Sequence, residues 1–396
     1  MTDVGGPQPT SKIESLLCAA QAIRSNYVEF YPGGETVTMP VPRIIGPGRC
    51  APITGVTRKV FLTCVDDATV FSRYDGIATA GRMLFDYQGH EIDNILADCP
   101  PNQFIYDGPD VFAIHPIHSR PAIDIPEALT LVGNNSVNFG HWIIEHLLQW
   151  STASGRPELR DVPILIDDEL PAQHRQALEF FVRGRVPIVV LPKDGIARVR
   201  RLWKVSNWIY VPFYWTNEAA IHHEFIVWPV REVIAQFRKL AESIDRHAGM
   251  RQFSKRVFLS RGNAFHRKLL NLAETESIAR EYGFEVYHPE ELEFSEQLSL
   301  VGGASHIIGP EGSAFFLAFF GTPGTRLCAF DNPFIEKAGY AAALYPELGI
   351  DLVLVTGDCT RKDELFTGFS DYVIDPSDVR RVLDEWDSAP AHSRSA

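Results

Sequence analysis

The sequence predicts an α/β protein made of two successive blocks of parallel sheet, and three observations lead there. From about Ala128 onward, apolar runs of strand length alternate with segments of helical period. The alternation breaks at the polar stretch 245–250 and restarts at Arg251. Within the second block, the run from Ser305 to Phe320 passes from an apolar strand through Gly309-Pro310-Glu311-Gly312-Ser313 into an apolar helix. That is the form of turn at which an open α/β sheet binds an anion: a helix opening at Glu311 leaves its first N–H groups unpaired, and Gly309 and Gly312 let a diphosphate come close to the backbone.

Taken in order, residues 11–23 have a helical pattern. Residues 35–107 are short β-type runs broken by Gly and Pro, which indicates a β-rich extension. In the first block, 129–132, 163–166, 187–191 and 208–211 read as strands, and 138–150 and 172–182 as helices. A long helix over 221–246 with a bend at Trp228-Pro229 then carries the chain away. In the second block the strands are 256–260, 284–287, 306–308, 326–330 and 351–355. The helices are the one after Asn271, which with Glu274 has the form of a capping box, then 295–301, 311–320 and finally 377–386. The domain division that follows is 1–32, 33–120, 121–248, 249–375 and a helix with a polar, disordered tail over 376–396.

With 396 residues, each block has length enough for its own core. Six cysteines without a CxxC pair argue against a structural zinc or a disulfide framework, and the first ten residues have neither a basic start nor an apolar run, so the expected location is the cytoplasm. A net charge of −13 disfavours nonspecific nucleic-acid binding. The basic run 198–204 reads as a solvated strand edge. The absence of GxGxxG, GxxxxGK[ST] and GxSxG removes support from nicotinamide, P-loop and serine-hydrolase chemistry.

Three constellations carry chemistry. In the loop and helix 133–146, His141 and Glu145 lie four apart on one helical face, where a carboxylate beside an imidazole can take a proton from an alcohol; Asn135 and Asn138 belong to the loop before it. The pair His141 and His146 is five apart, about 140° around a helix, too far to clamp one metal ion. His115 with His118 and the doublet His222-His223 lack acidic partners, and Asp167-Asp168 is a better cation candidate than Asp66-Asp67 yet reads more simply as a capping loop; no metal is expected. In the second block, a strand ending in Ser260-Arg261 puts a guanidinium at the edge where the glycine turn opens, and Arg267 adds a second charge.

These residues in this order resemble glycosyltransferase family 61: Asn138, His141, Trp142 and Glu145 as N-x-x-H-W-x-x-[DE], then VFLSR, then YGFEV with PEELEFSEQ, then the G-P-x-G-S turn. The resemblance spans about 129–330 and is similar to bacterial capsular-polysaccharide members. It implies a GT-B-like pair of Rossmann-type domains with the β-rich extension in front, and an inverting, metal-independent transfer from a nucleotide sugar, a UDP-sugar by analogy, to a glycan hydroxyl, with no resident cofactor. Glu145 would be the base, oriented by His141, and Arg261, Arg267, Gln297, Gly309, Glu311, Gly312 and Ser313 would hold the donor. It also implies a peripheral association with the membrane face where surface glycans are built. The family usually has Asp at 145 and His at 311. A nucleotide-sugar epimerase or hydrolase, or an inactive sugar-nucleotide-binding subunit, are the alternatives.

Overall fold

The computed structural model describes residues 10–23, 26–88, 105–107, 112–114, 121–209, 227–244, 251–262, 266–334, 342–361 and 367–388. The chain divides into two compact units, 1–37 with 55–214 and 219–229, and 38–54 with 215–218 and 230–396.

Among the described residues up to 114 there are ten strands: β1 (Thr10–Ser15), β2 (Tyr27–Tyr31), β3 (Thr36–Met39), β4 (Arg43–Ile45), β5 (Ile53–Val56), β6 (Val60–Phe71), β7 (Ile77–Thr79), β8 (Arg82–Phe85), β9 (Ile105–Asp107) and β10 (Phe112–Ile114). The first block follows with β11 (Ala122–Thr130), β12 (Ile164–Asp167), β13 (Ile188–Leu191) and β14 (Ile196–Val205). The second block has β15 (Arg256–Leu259), β16 (Glu285–Tyr287), β17 (His306–Pro310), β18 (Arg326–Asp331) and β19 (Asp351–Thr356), then a ribbon of β20 (Asp358–Arg361) and β21 (Asp371–Val373).

In the first unit the order is β13-β12-β11-β14, all parallel, and β6 then pairs antiparallel with β14 and leads on to β7, β8, β1, β10 and β9. Numbered within the block this is 3-2-1-4, a doubly wound order that reverses between β11 and β14. The β-rich runs therefore extend this sheet, while β4 pairs with β19 in the other unit's sheet and β3 with β5 forms a small ribbon. Two basic-patch arginines meet carboxylates across neighbouring strands, Arg201 with Glu127 at 3.2 Å and Arg198 with Asp124 at 3.7 Å. The predicted solvated edge is thus an interior strand, β14, held on both sides.

The second unit's order, β16-β15-β17-β18-β19-β4, is parallel throughout. Its five block strands read 2-1-3-4-5, so the order reverses between β15 and β17. Both strands are buried, and Phe258, Ile308, Cys328, Phe330, Val353 and Val355 form one core with Val379, Val382, Leu383 and Trp386 of the helix Pro376–Ser388.

Several expected elements come out differently. Residues 11–15 lie in β1, and the helix is only Leu16–Ile23. The long helix starts at Val230, after Pro229, and covers Val230–Glu242; its expected parts over 221–226 and 245–246 lie outside the described residues, as does the tail beyond 388. The fourth parallel strand is Ile196–Val205 and not 208–211, of which 208–209 belong to no strand and 210–211 lie outside the described residues. Asn271 makes no cap bond, because its side chain bridges to the Ile374 backbone instead, and the capping box is formed by Glu293 and Glu296 on the helix Phe294–Gly303. The glycine-turn helix is a tight 3₁₀ run, Ser313–Phe320, and the Glu311 N–H donates to the Phe330 carbonyl at 2.7 Å. The turn thus prolongs the β17–β18 ladder by one residue, and that amide is already committed to the sheet.

Gly309 shows how closely β15 and β17 are drawn together. Its φ is 149°, and a Cβ there would lie 2.2 Å from the Leu259 carbonyl oxygen. We expect Gly309→Ala to lose about 3 kcal/mol in urea unfolding; an unchanged midpoint would contradict the close approach.

Candidate active site

In the first unit, β11 ends at the loop 131–138, and Asn138 opens the helix that follows by accepting from the Gly140 and His141 amides at 2.9 and 3.4 Å. After one turn the helix widens into a π segment, Trp142–His146, before resuming as Leu147–Ala153. Such bulges are most common at functional sites. Here it places His141 Nδ1 2.5 Å from Glu145 Oε1. Asn207, just past the end of β14, offers its Nδ2 to the other oxygen, Glu145 Oε2, at 3.5 Å, and its Oδ1 takes a hydrogen bond from Gln149. The dyad therefore sits at the reversal point between β11 and β14, with one partner from each strand's end.

The long strands β6 and β14 curl the sheet, so segments beyond the far end of β6 return to this place. The Asn207 N–H donates to Asp86 Oδ2 at 2.7 Å, and Asp86 Oδ1 pairs with the buried Arg58 at 2.8 Å. Asp75 and Asn134 exchange two hydrogen bonds, 3.2 and 3.3 Å, and Gly133 is required because a Cβ would meet Asp75 Oδ1 at 2.4 Å. Burial pushes the Asp75 carboxyl up to about 6 against the pull of Lys204. Asp167 is a staple for the same loops: it accepts from Arg73 N at 2.7 Å, Ser136 Oγ at 2.8 Å, Ser72 Oγ at 3.4 Å and Gly133 N at 3.5 Å. Asp167, of the Asp167-Asp168 pair, is thus a loop anchor.

Behind the dyad the π segment packs Trp142 against two buried histidines, His146 at 5.1 Å and His174 at 5.6 Å between ring centroids. Burial holds both rings neutral: His174 is lowered to about 4, and His146 well below its ordinary value, with Lys204 and His141 adding to the effect.

In the second unit the reversal point between β15 and β17 gathers Arg261, Arg267, Glu311 and, at the end of β18, Asp331. Arg261 donates to the Glu311 carbonyl at 3.1 Å and lies against Gly312, where a Cβ would be 3.2–3.3 Å from the guanidinium and its stem. Arg267 pairs with the Glu311 carboxylate and reaches Asp331 at 3.8 Å. Burial, and next Arg267, lower the Arg261 pKa; burial would lower Arg267 too, but the Glu311 and Asp331 carboxylates outweigh it and raise it. Burial pushes the Asp331 carboxyl up, to about 7, with Arg267 opposing.

Of the residues expected from sequence, His141 and Glu145 meet, and Arg261, Arg267, Glu311 and Gly312 meet. Asn138 is a helix cap. Asn135 is buried, its Oδ1 without a hydrogen-bond partner among the described residues. Gln297 is buried with its Nε2 on the Pro289 carbonyl at 2.7 Å, so it fixes the turn that follows β16, and Gly309 serves strand packing. Ser313 opens the 3₁₀ run. The sequence reading missed Asp75, Asp86, Asn207 and Asp331. Only Asn207 and Asp331 carried a signal, a polar residue at the carboxyl end of a parallel strand. No group of three metal-ligating side chains occurs among the described residues, and His115, His118, His222 and His223 lie outside them.

A histidine whose folded pKa is depressed stabilises the fold above the unfolded value near 6.5, and that stability is lost as pH falls. Relative to His174→Leu, the wild type should therefore lose about 1.4 kcal/mol per pH unit between 6.5 and about 4. Denaturant melts of the two proteins across this range check it; a pH-independent difference would contradict a buried neutral ring.

Among the described residues no helix is long and apolar enough to cross a membrane. No curated protein matches the chain significantly. Residues 139–328, from the opening of the dyad helix to the middle of β18, match the model of the Glycosyltransferase 61 family. The matched segment contains His141 and Glu145 at one end and Arg261, Arg267 and Glu311 towards the other, and over this segment the chain is similar to the glycosyltransferase 61 family.

Proposed function

We propose that the protein is an inverting glycosyltransferase of GT-B-like organisation that moves a sugar from a nucleotide-sugar donor, a UDP-sugar by family analogy, to a glycan hydroxyl, in the synthesis of a surface or capsular polysaccharide. The observation that carries this reading is the His141–Glu145 pair at the reversal point of the first unit, within a chain of glycosyltransferase lineage.

The geometry favours exchanging the two roles expected from sequence. Glu145 is the more enclosed, 7% exposed against 14% for His141, and its two oxygens are engaged by His141 and Asn207. With Nδ1 bound to the carboxylate, a proton taken by the ring goes on Nε2, and Glu145 stabilises the imidazolium that forms. His141 is then the base that deprotonates the acceptor hydroxyl, and Glu145 holds and charges it. The hydroxyl oxygen attacks the anomeric carbon through an oxocarbenium-like transition state as the bond to the nucleoside diphosphate breaks on the opposite face, which inverts the centre. In the second unit, Arg261 and Arg267 offer the developing diphosphate charge its hydrogen-bond donors.

Glu311 favours one other reading. Its carboxylate neutralises Arg267 and lowers the attraction for a diphosphate, as in a sugar-nucleotide-binding subunit without turnover.

The two readings part in a transfer assay with a panel of nucleotide sugars and polysaccharide acceptors. We expect His141→Asn to lower kcat by about 10³-fold and Glu145→Gln by about 10²-fold with donor affinity unchanged. Arg261→Ala should weaken nucleoside diphosphate binding by about tenfold or more. Full turnover in either dyad variant would sink the mechanism, and donor binding without transfer in the wild type would select the non-catalytic reading.

A further inference from the structure

We infer that the stacked pair His266 and Phe369 is the nucleobase platform of the second unit. This rests on the reading of that unit as the donor lobe.

Three observations converge on the pair. Its rings lie parallel, with centroids 4.5 Å apart and planes inclined by 16°, and each residue is only partly buried, unlike the aromatic side chains of the unit's core. Its position is set by backbone pairing: Arg267 N donates to the Phe369 carbonyl at 3.0 Å, Tyr372 N to the Lys268 carbonyl at 3.0 Å, and Leu270 N to the Tyr372 carbonyl at 2.9 Å. The two segments thus run side by side as a short ribbon. Asn332, next to Asp331 at the end of β18, ties that ribbon to the sheet through its Nδ2, which donates to the Gly368 carbonyl at 2.9 Å and the Ser370 carbonyl at 3.3 Å.

The platform therefore borders the crevice that holds Arg261, Arg267, Glu311 and Asp331. His266 is followed directly by Arg267, whose guanidinium enters the charged cluster while the preceding ring stays with Phe369. Aromatic faces beside guanidinium groups suit a planar base joined to phosphates, since stacking is open to any base while the cations take the phosphate oxygens. A bare sugar phosphate has no π-face to place there. The Glu311 carboxylate, paired with Arg267, offers acceptor oxygens of the kind that ribose hydroxyls bond. The ligand class is accordingly a ribonucleoside diphosphate, with its base on the ring pair.

Calorimetric titration of the full-length protein tests this, using UDP, CDP, GDP and ADP on one side and inorganic pyrophosphate on the other. His266→Ala should weaken the preferred nucleoside diphosphate by about tenfold or more while leaving pyrophosphate unchanged, and His266→Phe should restore the affinity. Unchanged nucleotide affinity in His266→Ala would overturn the platform and leave the donor-lobe reading standing; so would an equal loss of nucleotide and pyrophosphate. If the wild type binds no nucleotide, both fall. Should His266→Ala fail to fold, the wild-type His266 ring protons give the answer: an upfield shift on adding the nucleotide but not pyrophosphate supports the platform, and the same response to both overturns it.

Discussion

A parallel sheet covered on both faces leaves chemistry few places to go. Its strands are near-continuous apolar runs because helices pack on either side, and the exposed backbone and polar side chains collect where the strands end. This chain meets that constraint twice. In the parallel part of each unit's sheet the strand order reverses once, between β11 and β14 and between β15 and β17, and the connections that leave in opposite directions there open a crevice. The His141–Glu145 dyad and the cluster of Arg261, Arg267, Glu311 and Asp331 lie at those two places. The identity of the residues was free to vary; their location was set by topology.

The first crevice is more elaborate than the strand order alone requires. Glu145 is a buried carboxylate, and burying an unpaired charge is costly, so its surroundings must answer it on both oxygens. His141 does so from within the same helix, which is where the π segment matters, and Asn207 does so from the neighbouring strand end. Asn207 is held in turn by Asp86, and Asp86 by the buried Arg58. The chain of partners runs outward from the dyad until it reaches an ion pair. Asp167 plays the equivalent part for the backbone, where one carboxylate takes four donors from two loops that are far apart in sequence. That saturation is why it anchors the loops.

What the sequence revealed follows from which interactions are local. The alternation of strand and helix is a local property, so β12, β13, β15 to β19 and the helix Ala172–Val182 were legible within a residue or two. The i, i+4 spacing of His141 and Glu145 is equally local. Arg261 and Glu311 were legible because each stands next to the end of an apolar strand. By contrast, Asp75 and Asp86 reach the dyad only because the antiparallel strands after β6 curl back, which no periodicity reports. The 3₁₀ geometry of Ser313–Phe320 was hidden too: an apolar run of eight residues looks the same in either helix, and what decides is that the Glu311 amide completes the ladder with Phe330 before the helix begins. Asn271 misled for a related reason, since its capping-box spacing is local but the Ile374 backbone that claims its side chain is about a hundred residues away.

The glutamate at 311 looks at first like an obstacle to a diphosphate, standing where the family resemblance leads one to expect a histidine. Its surroundings change that assessment. A lone carboxylate facing a phosphate repels it, but Glu311 is paired with Arg267, and Arg267 also faces Asp331, whose carboxyl burial pushes up towards neutrality. The cluster of two guanidinium groups and two carboxylates is thus close to balanced, and a proton on Asp331 leaves it net positive. On the proposed donor-lobe reading, a bound diphosphate would favour that protonated form. On this view Glu311 and Asp331 are the counterions that hold Arg267, the Glu311 carbonyl holds Arg261, and the fixed guanidinium pair is their contribution to the proposed site.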